Sequence, residues 1–299
     1  MKSARTTRRR KIGIAIAAVV GVWLVCAAWL LGTAWYRVPR YEPGSAPTAV
    51  VSLIHGPTEY ERVIETHRRP HVYTCEAASG AGAVTVFGAE HTQDPNDPQV
   101  DLIRSEWEAL HPTVALIESD LGMMFPLFMD PVVTFGEPGF VHALAREDDV
   151  PTYTWEPADG VVLRRVLNDG FTLQQVALRW ILGPYFSQVR HGRLADPDGF
   201  VRDTLDQRSR VFEIEGVIAS MDDIEAAWQS AFPDGPDWRE VSDEFGLPGF
   251  LGEMDLNRPR DEHLVSCLAA LIAQGERVFV ICGSSHAVKI EPAVRALCE

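Results

Sequence analysis

The sequence predicts an α/β fold: a mostly parallel or mixed central sheet with helices on both faces, preceded by one N-terminal transmembrane helix. Three observations carry this. A basic cluster leads into 24 consecutive uncharged residues, short β-rich runs then alternate with amphipathic helical stretches, and ionisable residues stand just past the ends of those runs. Alternating strand and helix signals imply parallel strands covered on both faces, with ligands at the strands' carboxyl ends.

Taken in order, residues 1–11 form a basic tail with Lys2, Arg5, Arg8, Arg9, Arg10 and Lys11 and no acid. Ile12 to Trp35 carries no charge. As a helix it would reach about 36 Å, beyond the roughly 30 Å hydrocarbon thickness of a bilayer. We therefore expect a signal anchor over residues 12–36, with the basic tail cytoplasmic and the rest of the chain extracytoplasmic on a single-pass membrane protein. A cleaved signal peptide is the alternative, with Gly32-Thr33-Ala34 as small residues for cleavage. Residues 37–48, with three prolines and a glycine, read as a linker, and residues 49–299 as one α/β domain.

Six of the 27 basic residues lie in the tail, so the other 21 face all 42 acidic residues, a balance of about −21 with histidine neutral. Such a surface repels polyanions, and nucleic acid is not an expected partner. Cys26 lies in the expected span. Cys75, Cys267, Cys282 and Cys298 would sit in an oxidising compartment, where two disulfides in any of three connectivities are open. Cys282, beside Val280 and Ile281, reads as a buried strand residue.

Within the domain, His71 to Glu76 and Ala83 to Gly88 flank a small-residue turn and predict a hairpin. Pro98 to Leu110 is an amphipathic helix with proline at its start. Thr113 to Ile117 is a short buried strand. Phe140 to Asp148 predicts a helix, Pro151 to Trp155 a strand, and Gly160 to Asn168 and Thr172 to Val189 two more helices. The region from His191 to Asn257 is the least legible. Asp222 to Phe232 reads as a helix there, and Phe232 to Gly252, rich in Pro, Gly and acids, as loop or lid. Arg260 to Gln274 is then a helix, Glu276 to Cys282 a buried strand and Ile290 to Leu297 a terminal helix.

Two runs end alike, in Gly88-Ala89-Glu90-His91 and in Gly283-Ser284-Ser285-His286, with glycine expected to let the chain turn sharply over the sheet edge. A third match, Gly139-Phe140-Val141-His142, falls in a helix and reads as a surface or cap histidine. With Glu118 and Glu156 past two other runs, the expected rim is Glu90, His91, Glu118, Glu156 and His286. Two imidazoles and one or two carboxylates form the ligand set of a hydrolytic zinc or manganese centre, assembled across the fold rather than within a short-range signature. The expected ligands are His91, Glu118 and His286. Glu90 or Glu156 would serve as general base, and Arg260 would orient an anionic or carbonyl group of a peptide or small-molecule substrate. Ser284 and Ser285 lack the Gly-x-Ser-x-Gly context of a serine nucleophile.

This layout resembles the TraB/PrgY/GumN/Tiki family, related to erythromycin esterase and ChaN-like folds, over about Val84 to Leu297. The matching residues are Gly88 and His91, Glu118, Arg260 of Arg260-Asp261, and Gly283 and His286. The resemblance implies metal-dependent peptide cleavage as in Tiki-like members. Metal-free ester hydrolysis is implied by the erythromycin-esterase relatives, and haem binding by the ChaN-like ones. A membrane-bound module that binds haem, a peptide or a signal without turnover is the alternative to a hydrolase.

Overall fold

The computed structural model describes residues 19–35, 37–78, 80–158, 160–189, 192, 194–208, 214, 216–241 and 247–299. The basic tail, residues 12–18 of the expected span and residues 242–246 of the expected lid lie outside these. Five strands form one mixed sheet in the order β1-β2-β5-β3-β4: β1 His71–Glu76, β2 Ala83–Ala89, β3 Val114–Ile117, β4 Thr152–Thr154 and β5 Arg277–Gly283. β1 runs antiparallel to β2, as the hairpin predicts, and the other pairings are parallel.

Continuous apolar runs form these strands because both faces are covered. On one face Val84, Val86, Leu116, Val278 and Val280 pack against α11 (Arg258–Ala273) and α12 (Ser284–Cys298) through Leu264, Leu268, Ile290 and Val294. The alternate residues Phe87, Ala115, Ile117, Phe279 and Ile281 meet α4 (Pro98–Leu110) and α5 (Pro131–Glu147) through Ile103, Trp107, Val141 and Leu144. Each of these two helices begins with proline behind an aspartate that accepts first-turn amides, Asp97 from Gln99 and Asp130 from Val132 and Val133.

Several elements depart from expectation. α5 starts nine residues before the expected Phe140, and Gly136 (φ 66°, ψ −152°) breaks it near its first turn. α12 leaves β5 directly, so His286 lies in its first turn rather than in a loop. The expected linker is laid along β4: Tyr41 N–H donates to Thr154 O and Thr154 N–H to Pro39 O. Phe232 to Gly252 is not simply a loop. Trp238, Leu247 and Leu251 join α7 (Leu173–Val189), α8 (Pro197–Arg208) and α9 (Met221–Ala231) in a helical lobe with its own core around Phe186 and Trp228.

Residues 19–33 are helical, and among the described residues no helix is long and apolar enough to cross a membrane. The four cysteines of the domain are free thiols, all buried. Cys75 and Cys298 share a hydrogen bond that pulls the Cys75 thiol down to about 7.

Candidate active site

Parallel register brings four strand ends to one rim. Ala89 pairs with Gly283, and Ile117 with both Ile281 and Thr154. Just past these ends stand His91, Glu118, Glu156 and His286.

The two glycines of the Gly-x-x-His elements do not make sharp turns. Neither has a positive φ, and Gly283 is extended (φ −62°, ψ 148°). They permit close approach instead. A Cβ on Gly88 would lie 2.5 Å from Ala287 Cβ, so glycine lets α12 settle on β2; one on Gly283 would lie 3.1 Å from His91 Nε2 and 3.6 Å from Glu118 Oε2.

Arg260, in the first turn of α11, is the hub. Its Nε donates to Glu156 Oε2 at 3.0 Å and its Nη2 to Glu156 Oε1 and to Glu118 Oε1, the latter at 2.8 Å. Nη1 donates to Asn257 Oδ1 and meets His286 Nε2, both at 3.0 Å. These contacts use all the donors of a guanidinium. Burial opposes the charge on Arg260, yet its pKa is raised because the bonds and charges of Glu156 and Glu118 outweigh it.

Glu118 also accepts the Gly283 N–H through Oε2. Burial alone would raise its pKa, but the charge His286 carries once protonated in the acid range, with Arg260, protonated His91 and that amide, holds it down at about 2. His286 Nδ1 lies 2.5 Å from Asp261 Oδ1. Because a guanidinium only donates, Nε2 must accept, which leaves the proton on Nδ1 and a neutral imidazole fixed by the fully buried Asp261. Trp155 meets this ring edge-on at 5.3 Å and carries Arg260 over its face.

His91 stands apart from this buried cluster. Its side chain is 71% exposed, and its Nδ1 lies 3.7 Å from Oε2 of Glu137, which is only 2% exposed. The break at Gly136 places Glu137 there, with Oε1 accepting the Thr92 N–H at 2.5 Å. The contact with Glu137 raises the His91 pKa above 6.5, against burial, with further help from the charge of Glu118. An open cleft of about 630 Å³ is lined by His91, Thr92, Glu118, Phe135, Glu137 and Glu156.

No family model, curated protein or solved structure matches the chain.

Of the expected site residues, the structure gathers His91, Glu118, Glu156, Arg260 and His286. Glu90 is left out: Gln99 holds its backbone on both sides, and its exposed side chain is not among the cleft lining. Glu156 is the partner of Arg260 rather than an unengaged base, and Arg260 has no donor left over for a substrate. His142 is a buried neighbour of Trp35, not a surface or cap histidine; burial and Arg146 lower its pKa to about 4.

Sequence reasoning missed Asp261, Glu137, Trp155 and Asn257. Asp261 and Asn257 flank Arg260, and Glu137 sits in Gly136-Glu137-Pro138-Gly139, an unusual insertion into a helix. Those neighbourhoods were the available signals.

His91, Glu118 and His286 do not fit together round a metal here. His286 Nε2 faces a cationic donor, both Glu118 oxygens are engaged, and the guanidinium fills the place a cation would take. Among the described residues, the group of His, Cys, Asp and Glu whose ligand atoms converge is a different one, His67, His71 and Glu291.

Proposed function

We propose that the chain is a membrane-anchored hydrolase of ester or amide bonds, of the TraB/GumN kind, in which His91 moves the proton without a metal in the cleft. The observation that carries this reading is the exposed His91 imidazole backed by the buried Glu137 carboxylate, beside the rigid Arg260 cluster. An imidazole so placed takes a proton from water as it attacks a carbonyl and returns it to the leaving group. Glu137 orients the ring and favours the imidazolium that forms midway. His286 and Asp261 position Arg260, which in turn holds Glu118 and Glu156 at the cleft floor.

Charge narrows the substrate. Glu118, Glu137 and Glu156 line or back the cleft against one guanidinium and one histidine, an arrangement that favours neutral or cationic substrates over anionic ones. Of the two groups the sequence reading offered Arg260, anionic or carbonyl, this charge balance favours the carbonyl.

The membrane assignment rests on the N-terminal helix, whose Val19, Val22, Trp23, Val25 and Trp29 all stand more than half exposed. Exposed apolar surface all round a helix suits lipid, not water.

The test is hydrolysis of ester and peptide panels by the full chain in detergent, beside His91→Ala and Glu137→Gln. We expect turnover to fall by about 10²-fold or more in His91→Ala, the usual contribution of a general base. Equal rates in the unsubstituted chain and in His91→Ala would overturn the assignment. A folded, metal-stripped chain that works only when zinc or manganese is returned, and behaves the same with His67→Gln, would restore the metal-dependent reading of the cleft. Ligand capture without turnover, including a Soret band on haem addition, would favour a binding module.

A further inference from the structure

At the β1 edge of the sheet lies a second cluster that the cleft does not use. The expectation that no short-range signature marks a metal site overlooked His67-Arg68-Arg69-Pro70-His71, a His-x-x-x-His pair. It is not on a helix. A 3₁₀ turn, Ile64–Thr66, ends just before His67, and His71 is the first residue of β1. The two rings meet at 4.4 Å between centroids.

Glu291 on α12 completes the group, with Oε2 2.7 Å from His71 Nε2. One ligand atom from each of the three residues lies within 4.8 Å of the others. Arg295 holds the other Glu291 oxygen at 2.7 Å and so aims Oε2 at the histidines.

We propose that His67, His71 and Glu291 bind one divalent transition-metal ion of the zinc type, fastening the start of β1 to α12. Two imidazole nitrogens and a carboxylate oxygen are the ligands such an ion prefers, with water completing a tetrahedron. The ion would join two segments more than two hundred residues apart in sequence and would brace the helix that carries His286 in its first turn. A direct His71 to Glu291 hydrogen bond with no metal affinity is the competing account.

The full chain in detergent, stripped with chelator, is titrated with Zn²⁺ and with Co²⁺ as a spectroscopic probe. Thermal unfolding is followed in parallel with His67→Gln, His71→Ala, Glu291→Gln, His91→Ala and His286→Ala proteins. We expect about one ion per chain, cobalt bands characteristic of nitrogen and oxygen ligands, and a rise in unfolding temperature with added zinc. The first three substitutions should abolish these effects and the last two should leave them intact. His67→Gln is the safeguard against misfolding, because His67 lies outside the sheet. Absence of binding, equal binding in all proteins, or loss only in the His91 and His286 variants would each overturn the proposal. Binding and stability are the readouts, so failure here leaves hydrolysis at the cleft untouched.

Discussion

At the residue scale, His91 and Glu118 respond to pH in opposite ways, and this separates their roles. Glu118 drops from an ordinary 4.5 to about 2, so the stability it contributes is fully present above the ordinary value and is lost as pH falls toward 2. It stays ionised through the range in which histidine titrates. A rise in rate with pH near neutrality therefore belongs to His91, whose pKa lies above 6.5. If neutral His91 is the base, kcat/KM should climb with pH through an apparent pKa higher than an ordinary histidine's. Glu137→Gln removes the largest cause of that elevation and should move the limb to lower pH while lowering the plateau. A pH profile of both proteins decides it. A limb that does not move in Glu137→Gln would mean that Glu137 only supports the fold.

At the element scale, the two Gly-x-x-His strands perform different tasks, and alanine at each glycine should expose the difference. In Gly88→Ala the new methyl meets Ala287 Cβ, the His71 carbonyl and Ser284 Cα, all within 3.0 Å, between a strand and a helix that cannot both shift. Overpacking of this kind costs about 1–3 kcal/mol, read as a lower denaturation midpoint. In Gly283→Ala the methyl meets an exposed His91 ring that can swing away, so stability should change by less than about 1 kcal/mol while turnover falls. Equal destabilisation of both proteins would refute this division. The same contrast explains what was legible in the sequence. Strands buried on both faces show as apolar runs, so β2, β3 and β5 and the positions just past them could be read directly. Glu137 could not, because it lies in a helix interrupted at Gly136, and nothing local says that its carboxylate faces a histidine forty-six positions earlier. Asp261 was hidden for another reason: an acid in a helix's first turn ordinarily needs no explanation beyond the helix dipole. The helical lobe was obscured because its core unites α7, α8 and α9 with aromatic residues from irregular segments such as Trp238.

At the scale of the whole molecule, the position of the cleft relative to the proposed membrane follows from one pairing. Trp35, just after the N-terminal helix, exchanges backbone hydrogen bonds with Met124 at 2.8 and 3.2 Å, tying that helix to the loop between β3 and α5. That loop is the other apolar surface of the domain: Met123, Leu127 and Phe128 are more than half exposed, as is Val133 at the start of α5, and Phe125 stacks on Phe128. Buried apolar side chains of this size each gain about 1.5–3 kcal/mol, so inserting the loop into the lipid interface would supply several kcal/mol. Phe135, Gly136 and Glu137 lie within the first turns of α5, just after this loop, and line the cleft, so a membrane-seated loop would set the cleft close to the bilayer surface. Nitroxide labels at Leu127→Cys and Phe128→Cys, in a Cys26→Ala chain reconstituted into vesicles, test this. Both labels should be more accessible to oxygen than to a water-soluble nickel complex, whereas a label at the exposed Glu108→Cys on α4 should show the reverse. Water-like accessibility at Leu127 and Phe128 would detach the loop from the membrane and leave the cleft open to soluble substrates alone.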